Sequence, residues 1–184
     1  IGFAIDITNE EAISSNANQL VEKFGKIDGL ANNAANNPKV EDCKEVNFSR
    51  LENFPLDIWN DDISVGLTGA FLCAKHYGYQ ISKNSGGGSI VNISSDLGII
   101  APNQSIYGNK KKPITYSVVK HGIIGFSKYL ASYYAQSGIR SNALCPGGIN
   151  NNHNKEFVNK LTKLIPMGRM ANNNDYDGII LYLI

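Results

Sequence analysis

Short strand-like apolar runs alternate along this chain with stretches of helical spacing, and that alternation constrains its fold more than any other feature. Ser89-Ile-Val-Asn-Ile-Ser-Ser95 is a β-branched run preceded by Gly86-Gly-Gly88, and residues 139–145 form a second, broken by Pro146-Gly-Gly148. Between them Val118, Val119, Ile123, Phe126 and Leu130 share one face of a helix predicted over residues 114–136 and closed near Gly138. Parallel strands need such a crossover, because a tight turn cannot return the chain to the same end of a sheet. Upstream, residues 28–34 read as a buried strand running into a polar turn. Ile63, Leu67, Ala70, Phe71 and Ala74 predict one long helix over residues 56–82.

At the start, residues 1–5 are a short apolar run ending in Asp6-Ile-Thr8. Thr8 is the expected cap of a helix over residues 9–24, with Glu10 and Glu11 in its first turn and Gly25 as its stop. Loops are expected over residues 36–55 and 96–113, and weaker helices near 154–164 and 172–184. Neither repeats nor a linker divide the chain, so its 184 residues read as one partial domain over 1–184.

Composition removes several classes of function. Hydrophobic residues at 42% and charged ones at 18% suit a packed core and not a disordered chain. Lys+Arg 17 against Asp+Glu 16 leaves +1, with Lys110-Lys111-Lys112 the only basic block, so no nucleic-acid or membrane-surface partner is expected. Cys43, Cys73 and Cys145 are far apart and His76, His121 and His153 are scattered, which argues against disulfides and any metal site. No apolar run reaches membrane-span length and no leader is evident, so a cytoplasmic location is expected. Ile1 is not a natural start, Met167 and Met170 are the only methionines, and residues 178–184 end without a polar tail; both ends read as cut.

Chemistry enters with a tyrosine and a lysine one helical turn apart, Tyr116-Ser-Val-Val-Lys120. At that spacing both side chains leave the same helix face, and a nearby ammonium favours phenolate. Tyr79 with Lys83 and Tyr107 with Lys111 repeat the spacing, so the pair alone says little. Only Tyr116 opens a long amphipathic helix that follows a strand ending in a serine pair.

In that setting the chain resembles the short-chain dehydrogenase/reductase family, by pieces in the family's order. Asp6-Ile-Thr8 looks like the aspartate that touches adenine, Asn32-Asn-Ala-Ala35 like N-N-A-G, and residues 89–95 with Asp96-Leu-Gly98 like the serine-bearing strand. Tyr116–Lys120 matches Y-x-x-x-K, residues 139–149 resemble the strand ending in P-G, and Pro166-Met-Gly-Arg-Met170 resembles P-[LM]-G-R. The resemblance implies an NAD- or NADP-dependent oxidoreductase that interconverts an alcohol and a carbonyl by hydride transfer. It makes Tyr116 the general acid/base, Lys120 the group that holds the nicotinamide ribose, and Ser95 the residue that hydrogen-bonds the substrate oxygen. Cofactor contacts would come from Asp6, Ile7, Asn33, Ala34, Tyr116, Lys120, Pro146, Gly147 and Ile149.

Departures from the family pattern carry their own expectations. The glycine-rich nucleotide turn is absent, and Gly86-Gly-Gly88 precedes a strand and not a helix. The implied fold is therefore an α/β, doubly wound Rossmann-type parallel sheet lacking strands 1, 2 and 7, with residues 1–5 as strand 3. Such a half-sheet is expected to be marginal and prone to aggregate at its edges. Gly66 stands where relatives have the asparagine of the proton relay, so activity is expected to be slower or a water to fill the gap. Asn151 replaces the threonine that binds the carboxamide.

The extended 103–113 loop is expected to wall the substrate pocket. It is similar to that of members near bacterial surface-sugar and flagellin-glycan pathways, and a sugar or related metabolite is the expected substrate. Phe71, Phe126 and Tyr129 are candidates for a homodimer or homotetramer surface. The alternative reading is a non-catalytic scaffold, dimer partner or inactive gene fragment.

Overall fold

A computed structural model describes residues 1–37, 40 and 48–184; much of the loop expected over 36–55, Cys43 included, lies outside the described residues. Strands β1 (Gly29–Asn32), β2 (Gly88–Ile93) and β3 (Ile139–Leu144) form a parallel sheet in the order β1-β2-β3. Ala31 registers with Val91, and Val91 with Asn142. Helices α1 (Glu10–Phe24), α2 (Leu56–Ile63), α3 (Ala70–Ile81), α4 (Ile114–Tyr133), α5 (Lys155–Thr162) and α6 (Asp177–Leu183) complete the order. Ile90 and Val91 are both fully buried, as a central strand covered on both faces requires.

One face of the sheet carries α3 and α4. Ala74, Ile81, Leu130 and Tyr134 close over Ile90 and Ile139 there. Burying each isoleucine contributes about 1.5–3 kcal/mol. Ser89 and Arg140, pointing the other way, both donate to the Leu183 carbonyl, which sets α6 against the opposite face. Helices on both faces of an all-parallel sheet make this an incomplete, Rossmann-type α/β architecture. α1 packs beside α3 through Ile13 on Leu72 and Cys73. A chain of polar side chains also crosses the core. Asn32 Nδ2 donates to Asn92 Oδ1 at 2.8 Å, Asn92 Nδ2 to Ser127 Oγ at 2.9 Å, and Ser127 Oγ to the Ile123 carbonyl at 2.8 Å.

Several boundaries differ from the sequence reading, each for a local reason. Residues 1–5 form no strand; most of them are exposed and no ladder partner stands beside them among the described residues. Asn9, not Thr8, caps α1, its side chain accepting from Ala12 N at 3.0 Å. Thr8 is instead held in a turn whose backbone N–H and hydroxyl both donate to Asp6 Oδ1. The helix expected over 56–82 is interrupted by a π-helical segment, Ser64–Gly69. Its two glycines allow close approach: a Cβ at Gly69 would fall 2.5 Å from Ile7 Cδ1, and one at Gly66 2.5 Å from Val119 Cγ1. Past α4, Ala135–Ser137 is a 3-10 turn ended by Gly138 at φ 69. The last predicted helix splits into a 3-10 turn, Asn173–Tyr176, and α6.

Candidate active site

Parallel strands end on the same edge, and here each ends in polar or turn-forming residues. Asn33-Ala34 follow β1, Ser94-Ser95 follow β2, and Pro146-Gly147 come just after β3. Ladder pairing runs on past the strand ends. Ser94 N donates to the Leu144 carbonyl at 2.7 Å, and Asp96 N to the Pro146 carbonyl at 2.9 Å. Ser95, extended at φ −163, caps the 3-10 turn Asp96–Gly98, its Oγ donating to Asp96 Oδ1 at 2.8 Å. That turn lies against the first half of α4. Ser94 Oγ donates to the Lys120 carbonyl at 2.6 Å, and a Cβ on Gly98 would sit 2.7 Å from the same oxygen. Only glycine fits there without displacing backbone.

This docking brings Ser95, Tyr116 and Lys120 together. The Tyr116 hydroxyl and the Ser95 side chain are close enough to interact. Lys120 is buried; its Nζ donates to the Ile93 carbonyl at 2.8 Å and lies 5.9 Å from the Tyr116 ring centroid. Burial pushes the Tyr116 phenol above its ordinary pKa, Ser95 draws it down, and the Asp96 carboxylate raises it. Burial likewise lowers the Lys120 ammonium, with Cys145 acting the other way. The sequence reading expects Lys120 to acidify the phenol; burial instead raises it, and the ammonium is aimed at the Ile93 carbonyl.

The other two tyrosine–lysine pairs separate cleanly. Tyr79 is exposed, with Lys83 Nζ 4.2 Å from its ring centroid on the same surface. Tyr107 packs on Phe157 at 5.6 Å. It lines a cavity of about 340 Å³ between the 103–113 loop and α5, together with Val40, Ile106, Lys110, Phe157 and Lys160. Ser95, Tyr116 and Lys120 do not line that cavity.

The remaining predicted residues are spread along the edge. Asn33, Ala34 and Gly147 are exposed, Pro146 is half-buried, and Ile149 bridges to Ala171. The Gly147 amide donates to the Tyr176 hydroxyl at 3.1 Å. Ile7 packs against the α1–α3 core, while the Asp6 carboxylate is taken up by Thr8 and lowered by those bonds. Gly66 lines a small cavity of about 10 Å³ with Asp62, Thr115, Tyr116, Val119 and Lys120. That is the lower limit of room for one water.

One residue beside Tyr116 escaped the sequence reading: Lys112, whose Nζ lies 3.8 Å from the ring centroid. The run of three lysines hid it. The signal was there, since Lys112, Tyr116 and Lys120 recur every four residues.

The profile of the family described as Enoyl-(Acyl carrier protein) reductase matches residues 1–184. The chain belongs to the short-chain dehydrogenase/reductase family. It is 31% identical to an uncharacterized oxidoreductase of Thermotoga maritima over 187 residues, 92% of this chain and 66% of that protein. With the 2-dehydro-3-deoxy-D-gluconate 5-dehydrogenase of Bacillus subtilis it shares 30% over 98% of this chain and 66% of the relative. Among solved structures, a short-chain dehydrogenase of Leptospira borgpetersenii with bound NAD+ superposes with a TM-score of 0.80 at 30% identity, covering 98% of this chain and 66% of that one. The chain spans 49–70% of the length of the first curated relatives it matches. No helix among the described residues is long and apolar enough to cross a membrane.

Proposed function

We propose that this chain carries the alcohol/carbonyl site of an NAD- or NADP-dependent oxidoreductase, with Ser95, Tyr116 and Lys120 as its catalytic residues. The convergence of Ser95, Tyr116 and buried Lys120 at the carboxyl edge of the sheet is the observation that carries this reading. A substrate oxygen placed between the two hydroxyls takes a hydrogen bond from Ser95, whose single proton turns to it from Asp96, and exchanges a proton with Tyr116. When bound, the dinucleotide gives or accepts the hydride.

The residues fit the nicotinamide-ribose half of that cofactor. Lys120 has three N–H donors, one of them on Ile93, to offer ribose hydroxyls, and Asn33 and Gly147 leave the edge open beside it. A Cβ at Gly147 would meet only Asp96 Oδ2, at 3.8 Å. The pyrophosphate half finds no cradle among the described residues, because Gly86-Gly87-Gly88 leads into β2 and not into a helix.

The substrate class is a sugar or sugar acid, a reading supported by the gluconate-type relative. The cavity walled by the 103–113 loop takes its distal part. A homodimer or homotetramer is proposed for the protein that carries this chain. Phe71 and Tyr129 are exposed as that requires, and exposed Tyr133 extends the patch by stacking on Tyr129 at 5.8 Å. Phe126 leaves the proposal, since it packs into the core. A cytoplasmic setting accords with unpaired thiols at Cys73 and Cys145.

The test is Tyr116→Phe in the longest protein containing this chain, assayed with NAD and NADP on polyols and sugar acids. The expected loss in kcat is about 10²–10⁴-fold. Activity that survives the change removes Tyr116 from its role. The non-catalytic scaffold then moves ahead, a reading that Gly66 in the relay position permits.

A further inference from the structure

We propose that Lys112 is a positioning residue for Tyr116, a second cation laid on the ring face that holds the phenol in place and favours its phenolate form. The proposal rests on reading Tyr116 as the proton-transfer group, and it adds to that reading a residue from the extended loop.

Three independent anchors fix this lysine. Its backbone N–H donates to Gln104 Oε1 at 2.8 Å. The preceding Lys111 N–H donates to the hydroxyl of buried Ser49 at 3.0 Å. The following Pro113, buried at φ −54, starts α4. At the far end Nζ donates to Asn37 Oδ1 at 3.0 Å, just beyond β1, and lies 3.8 Å from the Tyr116 ring centroid. The ammonium therefore joins the loop, the end of β1 and the start of α4 directly over the phenol. The Tyr79–Lys83 pair shows the contrast: both partners come from the exposed end of α3 and the turn just after it, and Lys83 Nζ donates to Gln80 three residues away.

The electrostatics give this contact work to do. A cation over an aromatic face interacts with the ring, and it interacts more strongly once the ring carries negative charge. Of the two ammoniums that the described residues place beside Tyr116, Lys112 is the nearer, since Lys120 stands 5.9 Å from the centroid and faces the Ile93 carbonyl. Against them stands the Asp96 carboxylate from the turn after β2. Asp62, on α2, lines the small cavity beside the ring and accepts from Thr115. Cys145, after β3, acts on Lys120. With burial and Asp96 both opposing phenolate, a second cation offsets what Lys120 does not.

The experiment is a pH titration of the longest protein containing this chain, labelled at tyrosine Cζ with carbon-13, the Tyr116 resonance being assigned by its loss in Tyr116→Phe. Lys112→Gln is expected to raise the pKa of that resonance by about one pH unit, and Lys112→Arg to leave it near the wild-type value. Should Lys112→Gln fail to fold, Asn37→Ala keeps every backbone anchor and is expected to shift the titration in the same direction by a smaller amount. A Tyr116 titration unmoved by Lys112→Gln, or by Asn37→Ala in its place, overturns the proposal, as does an arginine that fails to restore it. The resonance reports the phenol itself, so this result stands apart from whether Tyr116→Phe abolishes turnover.

Discussion

Replacing Gly66 by alanine tests the packing that shapes the site. The added Cβ would stand 2.5 Å from Val119 Cγ1 and 3.1 Å from Cγ2, closer than such atoms approach. Val119 is buried in a cluster with Ala70 and Ile123, and the cavity of about 10 Å³ beside it gives it little room to move. Overpacking costs about 1–3 kcal/mol, and a contact of 2.5 Å against a stiff branched side chain belongs in the upper part of that range, about 2–3 kcal/mol. Alanine's better helix propensity returns at most about 1 kcal/mol. Gly66→Ala is therefore expected to destabilise by about 1–2 kcal/mol, a fall in Tm of roughly 3–6 °C for a chain of this size. Val119→Ala alone removes two buried methyls and costs about 2 kcal/mol. The double variant is expected to be more stable than the sum of the two predicts by about 1 kcal/mol or more, because the two changes occupy one space. Urea denaturation followed by far-ultraviolet circular dichroism measures all four proteins. A Gly66→Ala chain as stable as the wild type, or strictly additive losses, would refute the argument. The same geometry explains the residue itself: an asparagine here would have to pass Val119 before reaching Tyr116.

Two further expectations follow from burial and close approach. Burial pushes the Cys73 thiol up to about 11, so the folded chain keeps that proton longer than the unfolded one. Its contribution is complete below an unfolded value of about 8.5 and is lost as pH rises toward the folded value; after allowance for partial solvent screening it is roughly 1–2 kcal/mol. Cys73→Ala should make urea midpoints fall less between these limits, and parallel declines would exclude the thiol as the cause. Gly98→Ala places a Cβ 2.7 Å from the Lys120 carbonyl and should cost about 1–3 kcal/mol in thermal denaturation; an unchanged Tm would show that the turn moves freely.

Much of this was legible in the order of residues. The run around Ile90 announced a strand because a central parallel strand is buried on both faces, the run around Ile139 did so by the turn-forming glycines and proline that bound it, and the serine pair ending the first marked the site. The π-helical segment was hidden, since Ile63, Leu67 and Ala70 keep a helical spacing straight through it. What packs against the glycines there is Ile7 and Val119, both distant in sequence. Residues 1–5 carry the composition of a strand, but a strand also needs a neighbour to accept its hydrogen bonds. Lys112 was missed for a related reason: composition sees three equal lysines, and only the loop's anchors on Ser49 and Gln104 single one out.

The polar chain through Asn32, Asn92 and Ser127 has a consequence for how the sheet assembles. Sliding β2 by one residue past its neighbours turns Asn92 to the other face, away from both partners. The stranded carboxamides would each lose about 1–3 kcal/mol in a core that offers no substitute. An all-aliphatic interior would tolerate such a slip far better, since one methyl packs much like another. The two asparagines thus act as a register key, selecting the one alignment in which Ser95, just beyond the end of β2, comes to rest beside Tyr116.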